Sequence, residues 1–420
     1  MTTLVTAALV GSLGGLLGGV VPLAAPAASA EGSDCSNINS TDVQSSDSDA
    51  ASLPAAELGF PQMARTVGGS VWLGEGVTVA VVDSGVADPF GRLRRVDGTN
   101  LTGKQEIVDW HGTAVAGLVT GIPQGDNESL PRGLAPAARV MDVRVYDSSV
   151  AEGDDKPVTT ASVADGLEWI LRRAPEVSVV VVPVSVPPSD RLHRVVKRLS
   201  KRAVIVASSG NRPAADATVM SDLATPAPGQ DAAEEVFPAG YDEVLAVSAT
   251  ASGTGSDDPS AYVVPNSQTD VAVPTAMAVS YGLNGLSCTL PDVATSWAAG
   301  VVGGVMAVLR ARYRKDTPEQ LIARIKTTAA GAADQPTLYA GAGTVQPVEA
   351  LTRRLSISPA GVVDEAHVEE RAETPLRLAP EDPDPLAGLR RDLVWWGLLA
   401  GGVLGLAALL RPLLQRRRVK

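Results

Sequence analysis

Short runs of apolar, largely β-branched residues punctuate the middle of the chain, at Val77–Val82, Val140–Val145, Val177–Val186, Ala203–Ala207 and Val244–Val247. Between several of them the apolar positions fall at helical spacing instead, as in Ala161–Arg173 and Asp190–Lys201. Strands alternating with helices predict an α/β domain, with a mainly parallel sheet covered on both faces. No internal repeat is visible.

The pattern changes at both ends. Residues 1–30 are mostly Ala, Gly, Val and Leu, carry no charged side chain and close on Ala28-Ser29-Ala30. Such a stretch reads as an export signal cut after Ala30, although no Lys or Arg precedes its apolar part; an uncleaved helix is the alternative. Residues 31–54, rich in Ser, Asp, Asn and Ala, read as a polar, flexible N-terminal extension. A globular domain is expected over 55–352. Residues 353–392 are rich in Pro, Glu, Asp and Arg, and the close spacing of Pro380, Pro383 and Pro385 bars a helix there, so the segment reads as a stalk. Leu393 to Leu410 is free of charge, with Trp395 and Trp396 at its start; Arg411, Arg416, Arg417, Arg418 and Lys420 follow. Its length is near the lower limit for a bilayer-crossing helix. Indole rings favour the interface and a basic cluster belongs on the cytoplasmic side. The expectation is one transmembrane helix at 393–410, the globular domain outside and the tail 411–420 inside.

Composition narrows the function classes. With 420 residues, 45% of them hydrophobic, the chain suits one large domain plus accessory segments. The net charge of −12 and the lack of clustered cations on the expected domain exclude a nucleic-acid binder. Only Cys35 and Cys288 occur, without a CxxC or Cys/His cluster, so a structural zinc site is not expected. Export would let the two thiols form one bridge; two separate buried thiols are the alternative. The acidic run Asp147–Asp155 reads as a solvated connection, and no metal or other cofactor is expected.

Three local patterns carry candidate chemistry. In Val77–Gly85 an apolar strand ends in Asp83 and turns at a glycine, and the carboxyl edge of a parallel sheet is where functional groups collect. An Asp capping a turn is the plainer reading. His111 opens the small-residue helix His111-Gly112-Thr113-Ala114-Val115-Ala116-Gly117. The other two histidines sit in a basic helix (His193) and in the acidic stalk (His367). Ser296, in Ala294-Thr295-Ser296-Trp297-Ala298-Ala299-Gly300, begins a long apolar helix whose free N–H groups favour a developing anion. A simple N-cap at Thr295 or Ser296 is the alternative.

The order Asp, His, Ser is the chain order of the subtilisin triad. With "VVDSGV", "HGTAVAG" and "ATSWAAG", the sequence resembles the subtilases. So do the strand Val204-Ile205-Val206-Ala207-Ser208-Ser209-Gly210-Asn211, Phe237-Pro238-Ala239-Gly240-Tyr241 and Gly341-Ala342-Gly343-Thr344-Val345. The resemblance covers roughly residues 55–352. It implies a subtilisin-like three-layer fold and a serine endopeptidase in which Ser296 attacks the scissile carbonyl. His111 would take and return the proton, Asp83 would orient His111, and Asn211 with the Ser296 N–H would hold the oxyanion. By the same analogy Val184, Ser185 and Val186 would pair with an extended substrate, with Ser208, Ser209 and Gly210 also on the substrate side.

The sequence departs from the family at Trp110 and Ala294, each where Gly is usual, and at Gly300, where Pro is usual. It also has Ser185-Val186-Pro187 in place of Ser-Leu-Gly. Ala294 adds a methyl at a position that is often tightly turned, and Pro187 removes a donor from the substrate strand. The arrangement of export signal, short extension, catalytic domain, stalk, membrane helix and basic tail resembles the mycosins, membrane-anchored subtilases of type VII secretion systems. That resemblance implies protein substrates, a possible type VII secretion membrane complex as partner, and a Cys35–Cys288 bridge fastening the extension. A structural subunit of a secretion complex, with little proteolysis, is the alternative. Retention of Asp83, His111, Asn211 and Ser296 favours catalysis.

Overall fold

The computed structural model describes residues 34–42, 52–122, 133–149, 153–214, 220–252, 258–331, 335–364 and 387–415. The expected signal 1–30, most of the stalk and tail residues 416–420 lie outside them. Two short helices, α1 (Leu53–Glu57) and α2 (Phe60–Val67), precede the first strand. Then come β1 (Thr78–Asp83), β2 (Arg95–Asn100), α3 (His111–Thr120), β3 (Arg139–Arg144), α4 (Thr160–Arg173), β4 (Val177–Val182), α5 (Asp190–Leu199), β5 (Val204–Ser208) and β6 (Leu245–Thr250). The rest is β7 (Val271–Pro274), the hairpin strands β8 (Ala278–Tyr281) and β9 (Ser287–Leu290), then α6 (Thr295–Arg312), α7 (Pro318–Thr327), α8 (Pro347–Thr352) and α9 (Ala387–Gln415).

Seven strands form one wholly parallel sheet in the order β2-β3-β1-β4-β5-β6-β7. The central strands are buried on both faces, and the two-residue side-chain period divides their valines between two cores. Val79, Val81, Val140, Val179, Val181, Val204 and Val206 meet α3 and α6; Ala80, Val82, Val143, Val180, Val182 and Ile205 meet α4 and α5. The expected mainly parallel, three-layer α/β architecture is therefore the observed one.

Helix boundaries follow local chemistry. The Thr159 hydroxyl caps α4 in a reciprocal box with Ser162, and Ser189 Oγ accepts the Leu192 N–H at the start of α5. Helix α5 buries Leu192, Val195, Val196 and Leu199 and turns its basic residues outward. Helix α6 is buried from Thr295 through Leu309, which its small residues permit: a Cβ on Gly303 would stand 2.4 Å from Val181 Cγ2.

Four expectations need correction. The run Val177–Val186 is strand only to Val182, because Pro183 has no N–H for the ladder. The N-terminal extension is not merely a flexible segment: the expected Cys35–Cys288 disulfide is formed, Cys35 and Ile38 are buried, and Asp34 pairs with Thr289 of β9. Asp147 is not solvated but fully buried, accepting from Arg144 Nη2 at 2.6 Å and from the Lys156 amide at 3.0 Å. Residues 353–364, read as the start of the stalk, are tied to α7 by Gln320 Nε2 donating to the Ile357 carbonyl and Thr317 Oγ1 donating to that of Pro359.

The C-terminal unit contains α9. Its stretch Leu393–Arg411 has a mean hydropathy of 2.1 over 19 residues and is unburied. At 1.5 Å per residue it is about 28 Å long, close to the hydrocarbon thickness of a bilayer.

Candidate active site

Strand β1 lies where the chain changes direction across the sheet, with β3 on one side and β4 on the other, and its carboxyl end carries Asp83. Ligand sites of open parallel sheets form at such points. Helix α3 starts against this end of β1. A Cβ on Gly112 would stand 2.5 Å from the Gly85 carbonyl and 3.0 Å from Asp83 Cβ, so the second residue of α3 has to be glycine for His111 to reach Asp83. The junction is locked: the Gly112 N–H donates to Ser84 Oγ, which donates to the Asp109 carbonyl, both at 3.1 Å.

His111 Nδ1 lies 2.9 Å from Asp83 Oδ2 and 3.1 Å from Oδ1. An ionised carboxylate only accepts, so the proton sits on Nδ1 and the Nε2 lone pair remains for a substrate-side proton. Asp83 also accepts from the Ser84 amide at 2.6 Å and from Tyr146 Oη at 2.8 Å. Burial alone would raise the Asp83 pKa. The charge and hydrogen bond of His111, the Ser84 amide and the Tyr146 hydroxyl overcome it and hold Asp83 below its usual 3.8. Burial depresses His111 in turn, but the Asp83 charge and hydrogen bond, with the Asp109 charge, lift it above 6.5.

Ser296 sits in the first turn of α6, 5% exposed. The next residue, Trp297, lays its indole against the His111 ring at a centroid distance of 5.0 Å and against Trp110 at 5.4 Å. This bridges the helix that carries the serine to the helix that carries the histidine. Among the described residues Ser296 Oγ has no hydrogen-bond partner within 3.5 Å, His111 included. Catalytic hydrogen bonds of unliganded sites are often long and tighten on substrate binding.

Asn211 Oδ1 accepts from the Thr295 amide at 2.7 Å and from Thr295 Oγ1 at 2.9 Å. The acceptor end of the amide is thus fixed on α6, and no described residue takes the Nδ2 hydrogens. Ala294 is the N-cap of α6 at φ −145°, ψ 141°, an extended conformation open to any residue, so its methyl strains nothing.

The expected substrate side is only partly open. Val186 exchanges both backbone hydrogen bonds with Phe237, at 2.9 and 3.0 Å, and is buried. The Pro187 carbonyl accepts from Thr160 Oγ1. Ser208 and Ser209 are buried, and the Ser209 amide and carbonyl are bonded to Val247 and Asn266. The protein itself takes up Val186 and Ser209 and buries Gly210, which leaves half-buried Val184 and Ser185. Sequence reasoning missed Tyr146 and Asp109. The first follows a strand that ends at the same sheet edge, and the second stands two residues before His111. Among the described residues no group of three or more His, Cys, Asp or Glu side chains gathers as a metal site.

An Asp-bound imidazole, a serine at a helix N-terminus and a parallel sheet that brings them to one edge define a serine-type peptidase. Residues 74–344 match the model of the Subtilase family. Mycosin-3 of Mycobacterium tuberculosis is 30% identical over 413 residues, covering 87% of this chain and 86% of the relative. Subtilisin BL of Lederbergia lenta is 28% identical over 289 residues, covering 67% and 92%. Among solved structures, the MycP3 protease from the type VII (ESX-3) secretion system superposes with a TM-score of 0.58 at 26% identity, covering 77% of this chain and 91% of that one. The chain belongs to the subtilase family, with mycosins among its relatives, and is a serine endopeptidase.

Proposed function

We propose that Asp83, His111 and Ser296 are the catalytic triad of a membrane-anchored extracytoplasmic endopeptidase that cleaves secreted proteins. The observation that carries this is the buried Asp83 carboxylate 2.9 Å from the half-buried His111 imidazole, beside the first turn of the helix that bears Ser296. Ser296 Oγ attacks the scissile carbonyl as His111 Nε2 takes its proton. The oxyanion is received by Asn211 Nδ2 and the Ser296 amide, which lies in a first turn that has no intrahelical acceptor for it. The proton then passes from His111 to the leaving amine, and water repeats the sequence on the acyl-enzyme. An extended substrate runs past Val184 and Ser185.

The apolar window of α9 and the arginines after it support an anchor with the peptidase domain outside and the basic tail inside. Similarity to Mycosin-3 and to the MycP3 protease supports work beside a type VII secretion membrane complex. Fluorophosphonate labelling of the detergent-solubilised full chain tests the catalytic reading. Labelling of wild type but not of Ser296→Ala is expected; a folded wild type that stays unlabelled would leave a structural subunit as the better account.

A further inference from the structure

We infer that Tyr146 is a positioning residue of this active site: its hydroxyl holds Asp83 in the orientation that presents His111 to the nucleophile, and it sets the pH range over which His111 acts as a base. The inference rests on the peptidase reading above and goes beyond the triad.

The geometry is specific. Tyr146 lies two residues beyond the end of β3, the strand that pairs with β1 residue for residue up to Asp83 opposite Arg144. The chain continues that alignment past the ladder, since the Val145 N–H donates to the Asp83 carbonyl at 2.9 Å. Tyr146 is thereby delivered to the Asp83 side chain, where Oη donates to Oδ1 at 2.8 Å. Both residues are almost fully buried, at 2% and 0% exposure. Oδ1 thus takes the Tyr146 hydroxyl and the Ser84 amide, and Oδ2 makes the shorter approach to His111. With the hydroxyl removed, the buried Oδ1 keeps the Ser84 amide but loses its side-chain donor, and the carboxylate is held less firmly against rotation about its bond to Cβ.

The direction of the effect on pH follows. A donor on the far oxygen draws negative charge away from the His111 side of the carboxylate. Without it Asp83 attracts the imidazolium more strongly, so His111 keeps its proton to higher pH. The other charged groups at this point are Asp109, whose carboxylate accepts from the His111 and Ser149 amides, and the buried Arg144–Asp147 pair on the same segment as Tyr146. From α6, the serine and Trp297 bring no charge to the ring. Burial and the charges of Asp83 and Asp109 hold the Tyr146 phenol well above its usual range, so it stays a donor throughout.

The test compares Tyr146→Phe with wild type by the second-order rate of fluorophosphonate labelling against pH, with Tm measured beside it. Phe keeps the ring and its packing. The expected result is a rate lower by on the order of tenfold at neutral pH, the scale of one lost hydrogen bond to a charged group. The acid limb moves to higher pH, and labelling partly recovers in alkali. An unchanged profile would overturn the inference. So would a loss of rate that is uniform with pH and tracks a fall in Tm, the outcome of a purely structural role. A wild type that does not label at all would instead refute the peptidase reading.

Discussion

Asp83 is a buried carboxylate kept ionised by its neighbours, and His111 is a half-buried imidazole whose affinity for protons is raised by that carboxylate. Two pH effects follow with opposite demands. Catalysis needs neutral His111, so kcat/KM should rise with pH through a midpoint above 6.5, the usual histidine value; a peptide-cleavage profile checks this. Stability behaves otherwise. The raised His111 pKa contributes stability that is complete below 6.5 and fades as pH climbs through the folded value. The lowered Asp83 pKa contributes stability above 3.8 that is lost as pH falls through its folded value. The difference in thermal stability between wild type and His111→Ala should therefore be greatest between these limits. At the oxyanion site, Asn211→Asp keeps the acceptor that binds Thr295 and removes the donor. Turnover should fall by about 10²–10³, the usual consequence of losing one oxyanion donor, with Tm nearly unchanged. The proposed triad and Asn211 stood out in the sequence because each lies in a short pattern of characteristic residues. Tyr146 and Asp109 did not, because one lone phenol and one lone carboxylate have no pattern: the alignment of β3 with β1 brings Tyr146 to Asp83, and Asp109 is placed by the His111 and Ser149 amides it accepts from.

At the scale of elements, valine runs announced β1, β3, β4, β5 and β6, since a strand buried on both faces must be apolar throughout. Strand β2 escaped notice because it is a largely exposed edge strand with polar residues and Gly98 in its middle. The overlong reading of β4 overlooked Pro183. The close seating of α3 on β1 yields a further prediction: Gly112→Ala forces a Cβ against the Gly85 carbonyl. Differential scanning should show a loss of about 1–3 kcal/mol, typical of overpacking, and labelling of Ser296 should fall with it. The polar composition of the extension hid the burial of Ile38 and the pairing of Asp34 with Thr289, while the bridge itself was expected. Its disulfide spans 253 residues of sequence, and a bridge closing a long loop typically adds about 2–4 kcal/mol. Cys288→Ala should lower Tm accordingly, and alkylation of unreduced wild type should find no free thiol.

At the scale of the whole molecule, the described residues hold a peptidase domain and an apolar helix long enough to cross a bilayer. A chain ended before Leu393 should leave the membrane fraction on alkaline extraction while still labelling with fluorophosphonate; retention in the membrane would refute anchoring by α9. The candidate membrane helix was plain in the sequence because length and apolarity alone define it. The measurement that bears most directly on the central claim is peptide-level mass spectrometry of the full chain after fluorophosphonate treatment, run beside His111→Ala. The account predicts a single adduct on Ser296 in wild type and almost none in the variant, because the hydroxyl depends on that imidazole for its reactivity. An adduct on another serine, or undiminished labelling of Ser296 without His111, would contradict it.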